Sequence, residues 1–122
     1  NGGLMFSGSD NNPKFTITNS GNASLQGKLE AREIKVTESP TADFVFEESY
    51  KLPTLQQVEN HIKEKKHLPE IPSAKEMEKD GVNVGEFQIK LLQKIEELTL
   101  YIIAQDKELK QQREEIKLLK QK

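Results

Sequence analysis

The chain has 122 residues, a hydrophobic content of 34%, a net charge of −2 and no cysteine. So low an apolar content cannot give a monomer of this size a large core, because folding must offset the ordering entropy of every residue. The near-neutral charge offers nothing that attracts nucleic acid or an anionic membrane. Without cysteine, disulfides and thiolate metal sites are excluded, and no apolar run is long enough for membrane insertion.

Residues 1–37 are predicted to form short β-strands joined by turns. The runs Leu4–Phe6 and Lys14–Thr18 have the composition of strands, and Asp10-Asn11-Asn12-Pro13 between them is typical of a turn. A second turn is predicted at Asn19-Ser20-Gly21-Asn22. Each strand is too short to be stable alone, so we expect strands of neighbouring copies to complete an intertwined β-stem.

The apolar residues that follow alternate, with one change of phase. The first group is Ala23, Leu25, Leu29 and Ala31, and the second group, in the opposite phase, is Ile34 and Val36. A β-strand that continues through both groups needs a bulge or kink near Arg32-Glu33.

Residues 38–85 are predicted to form a small helical connector. Three N-cap patterns mark the starts of helices: Thr54 with Gln57, Ser73 with Glu76, and Asn83 with Glu86. The first helix must end by Leu68, because Pro69 follows, and the second is expected to stop at Gly81.

An aromatic segment lies between Pro40 and Pro53 and is predicted to be extended. It carries Phe44, Phe46 and Tyr50. These three are candidate receptor contacts, because exposed aromatic rings stack on sugars in the way an adhesin uses. The alternative, a core role, is the commoner one for aromatic residues in a small domain with few apolar groups.

Residues 86–122 are predicted to form one long coiled-coil helix, since they contain neither proline nor glycine. Apolar residues recur at alternating steps of three and four, which is a heptad pattern. The predicted interface consists of Ile95, Ile102, Leu109 and Ile116 at position a, and Leu91, Leu98, Gln105, Gln112 and Leu119 at position d. A helix with so narrow an apolar stripe needs partner helices, so we expect self-association.

The line of residues at positions a and d is called the seam. Charged residues beside the seam predict that the helices run parallel. Glu108 and Glu115 lie at position g, and Arg113 and Lys120 lie at position e five residues later. In a parallel coiled coil, g of one chain faces the following e of its neighbour, which pairs Glu108 with Arg113 and Glu115 with Lys120. An antiparallel arrangement would instead place glutamates near glutamates.

The number of helices is left open by the seam. Isoleucine at a with leucine at d favours two strands, whereas paired glutamine layers at Gln105 and Gln112 can be satisfied across three. From these residues alone, a dimer and a trimer are nearly equal alternatives.

Residues that could support catalysis or metal binding occur, but in unsuitable patterns. His61, Glu64 and His67 could contribute to a zinc site, yet positions i and i+6 lie on different faces of a helix. The carboxylates that could form an acid–base pair are typical of a solvated surface: Glu47, Glu48, Glu76, Glu78 and Asp80. We therefore expect no enzymatic activity, no catalytic residue, no cofactor and no metal.

Residues 42–108 carry a series of ordered motifs that together suggest a family. The motifs are Ala42-Asp43-Phe44-Val45-Phe46-Glu47, Tyr50-Lys51-Leu52-Pro53, His67-Leu68-Pro69 with Ile71-Pro72-Ser73, Gly81-Val82-Asn83 with Gly85-Glu86, and Lys94 to Tyr101. This stretch resembles the C-terminal domain of bacterial and phage tail-fibre-like surface proteins. The preceding residues 31–36 resemble the strand that ends the β-stem in such proteins.

The resemblance implies an elongated α+β protein with three parts: a β-stem over residues 1–37, a helical connector over 38–85, and a parallel trimeric coiled coil over 86–122. It favours the trimer over the dimer. It implies an extracellular place, on a virion tail or a bacterial surface, and a role in trimerisation and folding nucleation. The alternative role is a receptor-binding tip for a glycan or protein.

The layout is also similar to the intramolecular chaperone domain of endosialidase-type tail spikes. That family cuts itself before a Ser-Asp followed by a basic stretch. Here Ser9-Asp10 is followed by Asn11-Asn12-Pro13, so the motif departs from the pattern and no catalytic serine is expected.

Overall fold

A computed structural model describes residues 2–37 and 42–122, which divide into two compact units with a boundary after Lys35. The described residues of the first unit carry a three-stranded antiparallel sheet, and those of the second carry three α-helices and a short 3-10 helix. The fold class is therefore α+β, as predicted, with a long helix at the C-terminal end.

The sheet is a meander of β1 (Leu4–Ser7), β2 (Pro13–Ile17) and β3 (Ala23–Leu25), with β2 in the middle. Both turns lie where they were predicted, and Gly21 adopts the positive φ of 86° that the second one requires. The register gives the sheet one apolar face, formed by Leu4, Phe6, Phe15, Ile17, Ala23 and Leu25. This face is largely uncovered, since Leu4 and Phe6 are 55% and 57% exposed.

The predicted strand beyond Leu25 is not formed in the chain. Residues 26–37 contain no strand, and Leu29 and Ile34 are about 70% exposed, at 69% and 71%. These residues pair with neither outer edge of the meander, although β1 and β3 each leave one edge open. A segment without a partner strand does not form a β-strand.

The connector contains α1 (Leu55–Lys65) and α2 (Ala74–Asp80). The N-cap of α1 is the predicted capping box, in which Thr54 and Gln57 exchange side-chain to backbone hydrogen bonds. Ser73 caps α2 by accepting from the Glu76 amide, and α2 ends before Gly81, which has a φ of 75°. The three predicted helix starts, including Asn83, are all confirmed.

The aromatic segment of the connector differs from the prediction. Asp43–Phe46 is a 3-10 helix rather than an extended strand. This turn packs against the long C-terminal helix and buries Ala42 and Val45, which leaves Phe44 and Phe46 pointing outward. The tertiary contact therefore overrides the strand preference of the aromatic residues. Pro40, the predicted start of the segment, lies outside the described residues.

The long helix α3 runs from Val84 to Lys120, so it begins directly after the predicted N-cap Asn83 and two residues before the predicted domain boundary at residue 86. Asn83 accepts a hydrogen bond from the Glu86 amide at 3.0 Å and so caps the first turn. At 1.5 Å per residue, the 37 residues of α3 span about 55 Å.

Candidate self-association surface

The surface of α3 between Leu91 and Ile103 has the reverse of the usual polarity. Its buried residues are all polar or charged: Gln93, Lys94, Glu96 and Glu97. Its exposed residues are six aliphatic side chains and one threonine: Leu91, Leu92, Ile95, Leu98, Thr99, Ile102 and Ile103. A contiguous exposed apolar stripe of this kind is typical of an interaction site.

The connector covers α3 on one side only. Its contacts fall on Glu96, Gln93, Glu97 and Lys94, at heptad positions b, f, c and g, which are adjacent around the helix axis. The exposed stripe occupies the remaining side, at positions d, a and e, and reaches position b only at Ile103. The seam predicted from the heptad is thus left free along its whole length.

The exposure of the seam continues to the end of α3. Ile95 and Ile102 are 58% and 62% exposed, and Leu109 and Ile116 are 52% exposed. The predicted polar layers, Gln105 and Gln112, are exposed on the same side as these four residues. The structure therefore brings all the predicted interface residues onto one face of one helix, available to a partner.

A polar network holds the connector against the covered side of α3. The Tyr50 hydroxyl donates a hydrogen bond to Glu97. The Gln93 amide donates to Glu70 at 3.0 Å and to the Tyr50 hydroxyl at 3.2 Å. The Lys94 ammonium lies 3.2 Å from Glu97 and 3.3 Å from Glu70, so the buried charges of Lys94 and Glu97 are paired. Paired, hydrogen-bonded charges can be buried where a lone charge could not.

The two tyrosines of the connector interface are held in their neutral form. Burial and the hydrogen bond to Glu97 raise the pKa of Tyr50 to about 12. Burial also raises the pKa of Tyr101, whose hydroxyl donates to the carbonyl oxygen of Pro53. At the start of segment 50–53, Tyr50 thus binds Glu97 of α3. At its end, Pro53 is bound by Tyr101, which lies one turn further along α3.

Glu96 is a buried carboxylate at the contact between the 3-10 helix and α3. Burial raises the pKa of Glu96, and the nearby carboxylate of Asp43 raises it further. One of its oxygens, Oε2, is buried and has no hydrogen-bond partner among the described residues. The contact between the 3-10 helix and α3 is therefore sensitive to the protonation of this side chain.

The second half of α3 is exposed on every side, as the polar character of its off-seam positions predicted. Within the chain, Glu108 accepts a hydrogen bond from Gln112 at 3.4 Å, and Glu115 accepts one from Gln111 at 3.2 Å. The interchain pairs of these glutamates with Arg113 and Lys120 stay predictions.

The three candidate receptor contacts lie in different surroundings. Phe44 and Phe46 are 44% and 56% exposed, so their rings are accessible. Tyr50 is half-buried, its ring lies 5.8 Å from that of Phe44, and its hydroxyl belongs to the network with Glu97. Only the two phenylalanines are thus free to contact another molecule.

The histidines are closer together than the sequence indicated. The rings of His61 and His67 lie 5.3 Å apart, edge to face, although they were predicted to lie on different faces. The reason is that α1 ends at Lys65, and Lys66 reverses the chain with a φ of 64°. Within residues 2–37 and 42–122 no group of three His, Cys, Asp or Glu residues could hold a metal ion.

The carboxylates that were considered for acid–base chemistry are all exposed: Glu47, Glu48, Glu76, Glu78 and Asp80. Ser9 and Asp10 lie in the turn between β1 and β2, where Asp10 accepts hydrogen bonds from Asn12 and Lys14. Among the described helices, none has the length and apolar character needed to cross a membrane.

Comparison of the chain with protein-family models, with curated protein sequences and with solved structures found no match.

The residues that sequence reasoning missed are those of the polar network. Gln93, Lys94 and Glu97 occupy positions that are solvated in an ordinary coiled coil, and Glu70 lies in a loop. One signal could have indicated them. From Leu91 to Ile103 the off-seam apolar residues are divided between positions e and b (Leu92, Ile103) and positions f and g (Leu100, Tyr101), so the connector side keeps few apolar side chains beside its polar ones.

Proposed function

We propose that this chain is the C-terminal trimerisation and folding-nucleation domain of a homotrimeric fibre protein of the tail-fibre or bacterial-surface type. In this proposal α3 forms a parallel three-stranded coiled coil, outside the cell, on a virion tail or a bacterial surface. The observation that carries it is the exposed seam of α3, on which every residue from Leu91 to Leu119 that the heptad places at a or d is exposed.

The burial of the seam gives the reason for association. Removing apolar surface from water stabilises a complex by roughly 25 cal/mol per Å². Four isoleucine or leucine residues at position a and three leucines at position d would leave water in each copy. The described residues of the connector leave them exposed in the single chain, because these residues are attached to the opposite side of the helix.

Three features support the parallel trimer in particular. The g-to-e spacing of Glu108 and Arg113 pairs opposite charges only when the helices run in the same direction. Gln105 and Gln112 supply amide groups that can hydrogen-bond to one another across a three-stranded core. The resemblance of residues 42–108 to tail-fibre-like C-terminal domains implies the same arrangement.

Folding nucleation follows from the different properties of the two units. Local helices form quickly, whereas pairing of strands from separate chains is slow and prone to aggregation. The sheet has an uncovered apolar face, and residues 26–37 have alternating apolar side chains without a partner strand. A coiled coil that holds three C-terminal ends together makes the assembly of these strands effectively intramolecular.

Light scattering on the chain tests the stoichiometry. A trimer gives a mass of about 42 kDa, which is three times 13.9 kDa, and a dimer gives about 28 kDa. A well-folded particle of about 14 kDa would contradict the proposal.

A single cysteine tests the orientation. The chain has no cysteine of its own, so Lys122→Cys introduces a unique thiol at the end of α3. Parallel helices bring these thiols together, and oxidation is expected to give covalent dimers readily. Antiparallel helices would separate them by about the 55 Å length of α3, and oxidation would then give none.

A receptor-binding tip is the alternative function, and one observation favours it. Phe44 and Phe46 are both exposed on the 3-10 helix of the connector. Screening the intact protein on a glycan array tests this alternative. Binding that is lost in a Phe44→Ser, Phe46→Ser variant, with the oligomeric mass unchanged, would establish it. For either function we propose no enzymatic activity and no cofactor.

A further inference from the structure

Helix α1 carries an apolar face against which no other described helix or strand packs closely. Leu55, Val58 and Ile62 share this face, and Leu55 and Ile62 are 49% and 41% exposed. None of the residues of α1 is buried. No Cα atom of α1 lies within 8 Å of a Cα atom of α3, although both helices lie wholly within the described part of the chain.

A pocket of about 70 Å³ separates the two helices. Its walls come from the connector, with Val58, Leu68 and the two prolines Pro53 and Pro69, and from α3, with Lys94, Glu97, Leu98 and Tyr101. Leu98 belongs to the seam. The pocket therefore places Val58, from the apolar face of α1, next to Leu98 of the seam, along the g side of α3.

The opposite flank of the seam carries a second apolar patch that the connector does not reach. Leu92 at position e and Ile103 at position b are 42% and 45% exposed, and Thr99 at position e lies between them. A simple coiled coil does not need aliphatic residues at these outer positions. All the exposed residues of α3 from Leu91 to Ile103 are uncharged.

We propose that the connector of one copy docks onto α3 of the next copy, so that the α1 face and its pocket cover the patch formed by Leu92, Thr99 and Ile103. The inference rests on the proposed parallel self-association. In a parallel assembly, the g flank of each helix faces the e flank of its neighbour. One copy's α1 lies on the g flank, and the patch lies on the e side.

The two surfaces match in height as well as in polarity. The α3 residues that line the pocket span positions 94–101, and the patch spans positions 92–103. Helices in register bring these segments to the same level. Because the two surfaces are different parts of the same chain, a ring of copies satisfies every one of them, and such a head-to-tail interface closes.

Cross-linking between two different variants tests the contact directly. One variant carries Ile62→Cys, and a second, longer by a purification tag, carries Ile103→Cys; the two are refolded together and treated with a short bismaleimide. A cross-link between chains of different mass necessarily joins two copies. We expect this mixed product, and the control pair with Leu118→Cys in place of Ile103→Cys should not form it. Leu118 is 61% exposed and lies beyond the connector.

Substitutions give a second, independent measurement. Ile62→Asp and Ile103→Asp change side chains that are exposed in the single chain, so its own fold tolerates them. Each is expected to raise the concentration at which half the assembly dissociates by at least about tenfold. Leu118→Asp should leave that concentration unchanged.

The outcomes separate this inference from the proposed function. A wild-type particle of monomer mass overturns both. A parallel trimer that forms no mixed cross-link, and whose dissociation is unaffected by Ile62→Asp and Ile103→Asp, overturns only the docking of the connector.

Discussion

The two halves of α3 carry the same heptad seam in very different surroundings. From Leu91 to Ile103, the connector covers the polar side of the helix and leaves the apolar side exposed. From Ala104 to Lys120, the helix is exposed on every side. The exposure of the seam itself hardly changes, with 58% for Ile95 in the first half and 52% for Ile116 in the second.

The difference shows how a chain with few apolar residues can attach a domain to a helix and keep that helix available. The connector is attached through hydrogen bonds and paired charges around Tyr50, Lys94 and Glu97. The exposed aliphatic side chains of this half stay on the other face. The second half has no connector, and its charges at e and g can only align partners, because each exposed ion pair contributes roughly 0.2–1 kcal/mol.

Charged substitutions in the seam should weaken the trimer more than any other change, and most strongly in the half of α3 that the connector covers. Ile95→Asp with Ile102→Asp would place six carboxylates in the core of a trimer, which burial does not tolerate. We expect light scattering at micromolar concentration to show complete loss of the trimer. The variant chain should be largely insoluble, because its β-stem, residues 1–37, is left unassembled. The matching pair Leu109→Asp with Ile116→Asp should fray the second half and weaken the trimer without abolishing it.

A soluble, folded monomer from the first double variant would contradict the folding-nucleation role. Leu118→Asp is the control, since Leu118 lies off the seam at position c and is 61% exposed. Its oligomeric mass should equal that of the wild type.

The next largest effect is expected from the polar network that attaches the connector. Tyr50→Phe removes the hydroxyl donor of Glu97 and leaves its Oε1 with only the longer bond from Gln93 at 3.4 Å. Losing a hydrogen bond to a charged group costs about 1.5–3 kcal/mol. Tyr101→Phe removes only a bond to the neutral carbonyl of Pro53, and should cost about 0.5–1.5 kcal/mol. Amide hydrogen exchange in residues 42–81 measures both; equal effects would show that the charge of Glu97 is unimportant.

The pH dependence of the connector should depend on Glu96. Its pKa is raised in the folded chain, so the folded state prefers the protonated side chain. The resulting stabilisation is present below the ordinary value of 4.5 and is lost as the pH rises through the raised pKa. Glu96→Gln should make the connector more stable at pH 7 and should flatten this loss, as followed by hydrogen exchange.

The control for that measurement is Glu78→Gln, which changes an exposed carboxylate of α2. It should leave the pH profile as it is in the wild type. A Glu96→Gln variant whose connector still loosens between pH 4.5 and neutral pH would assign the effect to another group.

The smallest effect concerns the charges of the bare half. Glu108→Arg should weaken a parallel trimer by roughly 0.2–1 kcal/mol for each pair, because it sets arginine against Arg113. Adding Arg113→Glu should restore the midpoint of thermal unfolding. Recovery that is absent, or that survives high salt undiminished, would argue against a direct pair.

Local signals in the sequence were sufficient for the helices. Thr54, Ser73 and Asn83 each combine with a glutamine or glutamate three residues later, and each begins a helix where this pattern predicts. The hairpin turns and the heptad face were equally readable, because turn residues and helical spacing act within a few residues of one another. These local properties predict the class of the fold and which side of α3 is apolar.

Contacts between distant segments decided the rest. The segment Asp43–Phe46 is a 3-10 helix that packs on α3, and residues 26–37 form no strand because beyond Gln26 they pair with no other described segment. The pairing of Tyr50 with Glu97, 47 positions apart, follows from no local pattern. Burial and hydrogen bonding between remote residues depend on where the chain brings them, and only the folded arrangement reveals that the charged side of α3 is the covered one.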